Sequence, residues 1–196
     1  MRKLTLAFTL VSSCAAAFGQ SALIKVLSEE LDRNYAYLKQ NSQPPPYFMG
    51  YEVAENESDT IVASEGSIDS QNHIQTRYLD VTVRVGSPTF DNYHLSRGQR
   101  AQFTNATPIA LADDSDSIRR VVWLASDRVY RGAAQRLIRL QSDEKLRTSS
   151  LDTSDDFSKE EVQVYANDPP QIKFDAAAWA QRLRKLSVEF RNIPAH

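Results

Sequence analysis

Apolar residues recur every three or four positions near the start, in the middle and near the end of the chain, and every second position in between. Leu23, Leu27, Leu31, Tyr35 and Leu38 fall on one side of a helical wheel, with Lys25, Glu29, Asp32, Arg33 and Lys39 largely elsewhere. That spacing predicts an amphipathic helix. It must stop before Pro44-Pro45-Pro46, whose rings remove amide donors and push the preceding residue toward extended backbone. Tyr47, Met49, Tyr51 and Val53 then alternate, and the polar run Asn56-Glu57-Ser58-Asp59 reads as a reversal. A second strand is expected from Thr60 to Ile68 and a second reversal at Ser70-Gln71-Asn72-His73. The clearest strand follows, with Leu79, Val81, Val83 and Val85 on one face and Tyr78, Asp80, Thr82 and Arg84 on the other, stopped by Gly86-Ser87-Pro88.

Consecutive strands joined by short polar turns form a meander, whose apolar face needs a cover. Ile118, Val122, Ala125, Val129, Ala133, Leu137 and Leu140 supply a long helical stripe, with Gly132 as a point where it could bend. Near the end, after Asp168-Pro169-Pro170, Asp175 is a cap for a last helix. Trp179, Leu183, Leu186 and Phe190 share one face of it. The expected fold class is α+β: an antiparallel β-meander of three to four strands covered by a long helix, with flanking N- and C-terminal helices. Along the chain this gives an export signal at 1–19, an α+β module at 20–146, a polar linker at 147–174 and a C-terminal helix at 175–196.

The front of the chain sets the compartment. Arg2 and Lys3 precede the apolar run Leu4 to Val11, and Ala17-Phe18-Gly19 offers small residues for cleavage ahead of Gln20. An exported protein, periplasmic or extracellular, is the expectation. Val11-Ser12-Ser13-Cys14 supplies an alternative, a lipobox-like sequence that would leave Cys14 lipidated. The apolar run falls short of the roughly 20 residues a membrane-spanning helix requires, so no transmembrane span is expected. Cys14 is the single cysteine, and its removal with the signal leaves no disulfide. Residues 1–19 hold two of the 23 basic residues and none of the 25 acidic ones, so without them the net charge is near −4. A mildly acidic, mixed surface argues against nucleic-acid binding, which needs concentrated positive charge.

Residues that could carry chemistry are scattered. The three histidines, His73, His94 and His196, lie 21 and 102 positions apart. Asp113, Asp114 and Asp116 could hold a cation, but they stand directly before the long helix, where capping accounts for them. Asp155 and Asp156 sit in the polar linker and read as solvated loop. Ser64 or Ser67 with His73 and Asp80 contains the residue types of a hydrolase triad, without the glycine-flanked turn that presents a nucleophile. The arginines of the long helix, Arg119, Arg120, Arg128, Arg131, Arg136 and Arg139, read as a solvated face, and Trp123 and Trp179 as packing anchors. No catalytic, cofactor-binding or metal-binding residue is assigned.

The order of several blocks resembles the TldD/PmbA family of metallopeptidase-related proteins, also called modulator of DNA gyrase, in its exported single-chain type. The blocks are PPPYFMGYEV (Pro44 to Val53), TIVASEGSI (Thr60 to Ile68), RYLDVTVRVGSPTFDN (Arg77 to Asn92), LADDSDSIRRVVWLASDRVYRGAAQ (Leu111 to Gln135), DDFS (Asp155 to Ser158) and FDAAAWAQRLRKLS (Phe174 to Ser187). The resemblance implies the N-terminal region of a larger polypeptide in a family of zinc peptidases and inactive relatives. The family's HExxxH motif places two imidazoles one helical turn apart around zinc, with a carboxylate to activate water. None of the three histidines here is followed by Glu, so no cofactor is expected in this chain and zinc belongs to a catalytic region absent from it. The chain is expected to be a fragment, a truncation or a degenerate copy. Its role would be that of a non-catalytic module, acting in proteolysis with a peptidase half or a second copy docked through Trp179, Leu183, Leu186 and Phe190. The alternative is a stand-alone periplasmic peptide-binding domain or hydrolase sharing the scaffold.

Overall fold

The computed structural model describes residues 22–95, 105–145, 154–158, 163–167 and 173–190. The expectations for the export signal, Cys14, Asp168-Pro169-Pro170, the Phe190 side chain and His196 lie outside the described residues.

Three helices and a four-stranded antiparallel sheet make an α+β fold, as the periodicities predict. In chain order the elements are α1 (Ala22–Asn41), β1 (Pro46–Ser64), β2 (Ser67–Ser87), β3 (Phe90–Asp91), β4 (Thr107–Pro108), α2 (Ser115–Lys145) and α3 (Ala176–Phe190). The strands run in the order β1-β2-β3, and β4 pairs with β2 at Tyr78 and Leu79.

The reversals fall in different places from those the polar runs suggest. β1 and β2 pair without interruption of direction from Pro46↔Val85 to Ser64↔Ser67. Asn56 to Asp59 lies inside β1, opposite Thr76 to His73 in β2, so neither polar run is a turn. The turn is Glu65-Gly66, where φ is 47° and 86°. Two positive φ values in a two-residue loop give the twist that matches a right-handed ribbon. A strand of 19 residues rises about 60 Å at roughly 3.3 Å per residue. The hairpin is therefore a long arm with a packed base.

At the base, Leu79, Val81, Val83 and Val85 are at most 1% exposed. α2 covers them with Ile118, Val122, Ala125, Ala133 and Leu137, the expected stripe, and α1 lies beside α2 and against β1. Burying one such aliphatic side chain stabilises by about 1.5–3 kcal/mol. α2 passes through Gly132 unbroken, and a methyl group there would meet nothing within 4 Å. Asp114 caps this helix: its Oδ2 accepts from Ser117 N at 3.3 Å and Ser117 Oγ at 2.5 Å. The capping hydrogen bonds hold the Asp114 carboxyl below its ordinary value. Asp113 accepts from Arg77 at 2.9 Å, and Asp116 lies 3.8 Å from Arg119. α3 packs along the outer part of the arm rather than on the core.

Candidate functional site

The densest polar arrangement sits where β2 folds back into β3. Gly86 has φ 108°, and a Cβ there would come within 2.6 Å of the Phe90 carbonyl, so only glycine allows this return. Asn92 extends the ladder by accepting from Val85 N at 2.8 Å and donating to Val83 O at 3.1 Å. These contacts bring Asp91, fully buried, under the sheet. Its carboxylate accepts from Tyr47 Oη at 2.5 Å, Arg84 Nη1 at 2.6 Å and Tyr93 N at 2.6 Å. Burial, and then the hydrogen bond to Asp91, pushes the Tyr47 hydroxyl far above its ordinary pKa. A buried carboxylate stripped of such partners costs several kcal/mol, so the cluster stands or falls together.

Residues 154–158 close over it. Asp156 Oδ2 accepts from Asp91 N at 2.9 Å, and Oδ1 lies 2.9 Å from His94 Nδ1. Phe157 N donates to Pro88 O at 3.0 Å. The Phe157 ring centroid is 4.9 Å from that of Phe48 and 4.3 Å from the Arg84 guanidinium, which also lies 4.2 Å from the Tyr93 ring. Asp155 is exposed, as expected of a linker, but Asp156 is not: its side chain is 12% exposed. The solvated-loop expectation for Asp156 is corrected, because its oxygens replace water for a backbone N–H and an imidazole. From α2, Arg136 donates to Asn92 O at 2.7 Å and His94 O at 3.2 Å, so it is an anchor for this loop rather than part of a solvated face. The carboxylate oxygens of Asp91 and Asp156 each answer a donor or ring nitrogen of the same cluster, so the two acids clamp the β3 loop and residues 154–158 together.

On the arm, His73 stands directly across from Asp59 and Nδ1 lies 2.9 Å from Asp59 Oδ1, while Nε2 lies 3.8 Å from Glu57. His73 is thus a mid-strand residue rather than a turn residue. Asp59 raises its pKa above 6.5. Ligand atoms of Glu57, Asp59 and His73 lie within 4.8 Å of one another, but the imidazole faces the two carboxylates with opposite nitrogens. One ion can take only one of them, so the geometry is that of a cross-strand ion-pair bridge. Ser64, Ser67, His73 and Asp80 are not brought together. Ser67 and His73 are six positions apart on one strand, about 20 Å, and Asp80 instead accepts from Asn105 N at 2.6 Å and Ala106 N at 2.8 Å.

Between α1 and α2 an open cleft of about 400 Å³ is lined by Arg33, Asn34, Tyr37, Arg119, Arg120 and Trp123. Below it lies a polar seam that the apolar spacing did not reveal. Ser126 Oγ donates to Val122 O at 2.7 Å, so Tyr51 Oη donates to Ser126 at 2.7 Å and accepts from Asn34 Nδ2 at 2.9 Å. Burial raises the Tyr51 hydroxyl above its ordinary value. Glu30, also buried, pairs with Arg33 and lies 3.5 Å from Arg119. Trp123 is an anchor, edge-on to Tyr37 at 5.2 Å. The i,i+4 row Val26, Glu30, Asn34, Leu38 was the available signal.

On α3, Asp175 is the expected cap, accepting from Ala178 N at 2.9 Å. Ala180 and Ser187 are buried and Ser187 Oγ accepts from Gly66 N at 2.8 Å, fixing the helix to the arm's turn. Leu183 is half-buried, whereas Trp179 and Leu186 are 45% and 50% exposed. The face expected to be continuous is split: part of it meets the arm and part faces outward. No helix among the described residues is long and apolar enough to cross a membrane. Compared with protein-family models, curated proteins and solved structures, the chain matches none.

Proposed function

We propose that this chain is a non-catalytic module of an exported TldD/PmbA-type protein, working in proteolysis only with a catalytic region that carries the HExxxH zinc motif. The observation that carries the reading is one edge of α3, where Trp179 and Leu186, seven positions apart and so nearly in line along the helix, stay exposed on an element already fixed to the arm by Ser187. Large apolar groups presented together on a held element suit a protein interface. The order of the sequence blocks supplies the identity of the partner region. The test is co-purification from the envelope fraction of the source cell, with Trp179→Ala and Leu186→Ser combined in one variant. The unaltered protein is expected to carry an HExxxH-containing region with it, in the same or a second polypeptide, and the variant to lose at least about nine-tenths of any separate partner. Isolation of the unaltered protein as a lone monomer contradicts the reading.

The rival reading, a stand-alone periplasmic peptide-binding domain or hydrolase, draws on the His94 and Asp156 pair. Metal-dependent cleavage of unfolded peptides by the purified chain, abolished by His73→Ala or His94→Ala, would favour it.

A further inference from the structure

We infer that the surface built from Phe48, Arg84, Pro88, Asp91 and His94 is a docking socket for an acidic-aromatic dipeptide, and that the chain's own Asp156-Phe157 is its resident ligand. Each part of the dipeptide meets its own counterpart. The Asp156 carboxylate is read by the Asp91 N–H at 2.9 Å and the His94 ring at 2.9 Å. The Asp156 carbonyl accepts from Arg84 Nη1 at 3.2 Å, and the Phe157 N–H donates to Pro88 O at 3.0 Å. The Phe157 ring lies against Arg84 at 4.3 Å and Phe48 at 4.9 Å. Main-chain bonds thus fix direction, and two side chains in a set order fix identity, which is how sheet surfaces recognise short peptides.

The residues read and the residues reading them lie 62 to 109 positions apart in the chain, so no local turn imposes these contacts. Asp155, beside the dipeptide, stays exposed and adds no contact to the socket's reading of Asp156 and Phe157. Gly86, Asn92 and Arg136 hold the β3 loop through contacts that do not involve the strap of residues 154–158. Tethering holds the ligand at an effective concentration in the millimolar range, so individually weak contacts keep it seated. A second copy's segment, or another chain with an Asp-Phe pair, would enter only when this one leaves.

The test uses the full chain carrying Asp156→Ala and Phe157→Ala, titrated with the peptide Ser-Asp-Asp-Phe-Ser to about 10 mM while the Asp91 amide and His94 ring resonances are followed by NMR. Saturable shifts are expected in the variant, at least about tenfold weaker ones in the unaltered protein, and none with Ser-Asp-Ala-Ala-Ser. Absence of saturable shifts, or equal shifts with the alanine peptide, overturns the inference. A second measurement needs no variant: if the strap lifts as one piece, the amides of Asp91 and Phe157 have protection factors within about threefold of each other. A difference above about tenfold shows that the two contacts open separately and overturns it as well.

Discussion

The same two strands behave as two different materials along their length. At the base, Leu79, Val81, Val83 and Val85 of β2 are shut beneath α2, and the opposite face is partly closed by residues 154–158. Farther out, every residue from Asn56 to Thr60 and from Gln71 to Gln75 is exposed, although the antiparallel pairing continues in register. Ladder hydrogen bonds therefore set where the strands lie, and side-chain burial decides how firmly they are held. A two-stranded ribbon is marginal by itself in water. Near the tip Ile61, Ala63, Ile68 and Ser70 become half-buried again, where α3 packs on the arm. The base is a conventional core; the arm and α3 form a projecting unit with apolar groups still facing outward.

The contrast can be broken most strongly by equal truncations at its two ends. Leu79→Ala is expected to cost about 3 kcal/mol in denaturant unfolding, because a fully buried site leaves a cavity. Ile61→Ala, half-buried on the arm, should cost about 1 kcal/mol or less. Equal losses would mean the arm is as tightly packed as the base. Gly86→Ala comes next, at about 2 kcal/mol or more, since the new methyl would press on the Phe90 carbonyl at a positive φ. Its mark in NMR spectra should be at Asp91, Asn92 and His94, with Glu65 and Gly66 unmoved.

Gly132→Ala should act in the other direction. The position is an unbroken helix interior with open space for the methyl, so a gain of about 0.5–1 kcal/mol is expected in thermal unfolding. The smallest effect belongs to the arm's ion-pair bridge. His73 has its folded-state pKa raised above 6.5, chiefly by the hydrogen bond to Asp59. The pairing therefore stabilises the arm fully below pH 6.5 and fades as pH rises through the folded-state value. NMR titration should place the His73 midpoint above 6.5, and Asp59→Asn should bring it back toward that value.

The fold class was legible because it rests on periods. The alternation from Leu79 to Val85 coincides with buried positions, and so does the stripe from Ile118 to Leu140 except at Val129, which is half-buried beside the buried Tyr130. Asp114 and Asp175 cap where short side chains before a helix suggest they should. The hairpin's length was not legible, because Asn56 to Asp59 and Ser70 to His73 look like turns when a strand is assumed to need an apolar face. A ribbon with both faces in solvent has no such need, and Glu65-Gly66 carried the turn signal instead. The role of Asp156 and Phe157 was hidden for another reason: their partners are 62 to 109 residues away, and no local pattern records a contact that distant. Glu30 and Asn34 were missed because their buried row was judged by polarity before spacing.

The most direct test of the functional account is site-specific photo-crosslinking in the source cell, with a photoreactive amino acid replacing Leu186 on α3 and, as a control, the similarly exposed Ile138 on α2. The account expects position 186, and not position 138, to yield a covalent adduct whose partner peptide maps to a region bearing HExxxH. No adduct at 186, or one that maps only within these 196 residues, would contradict it.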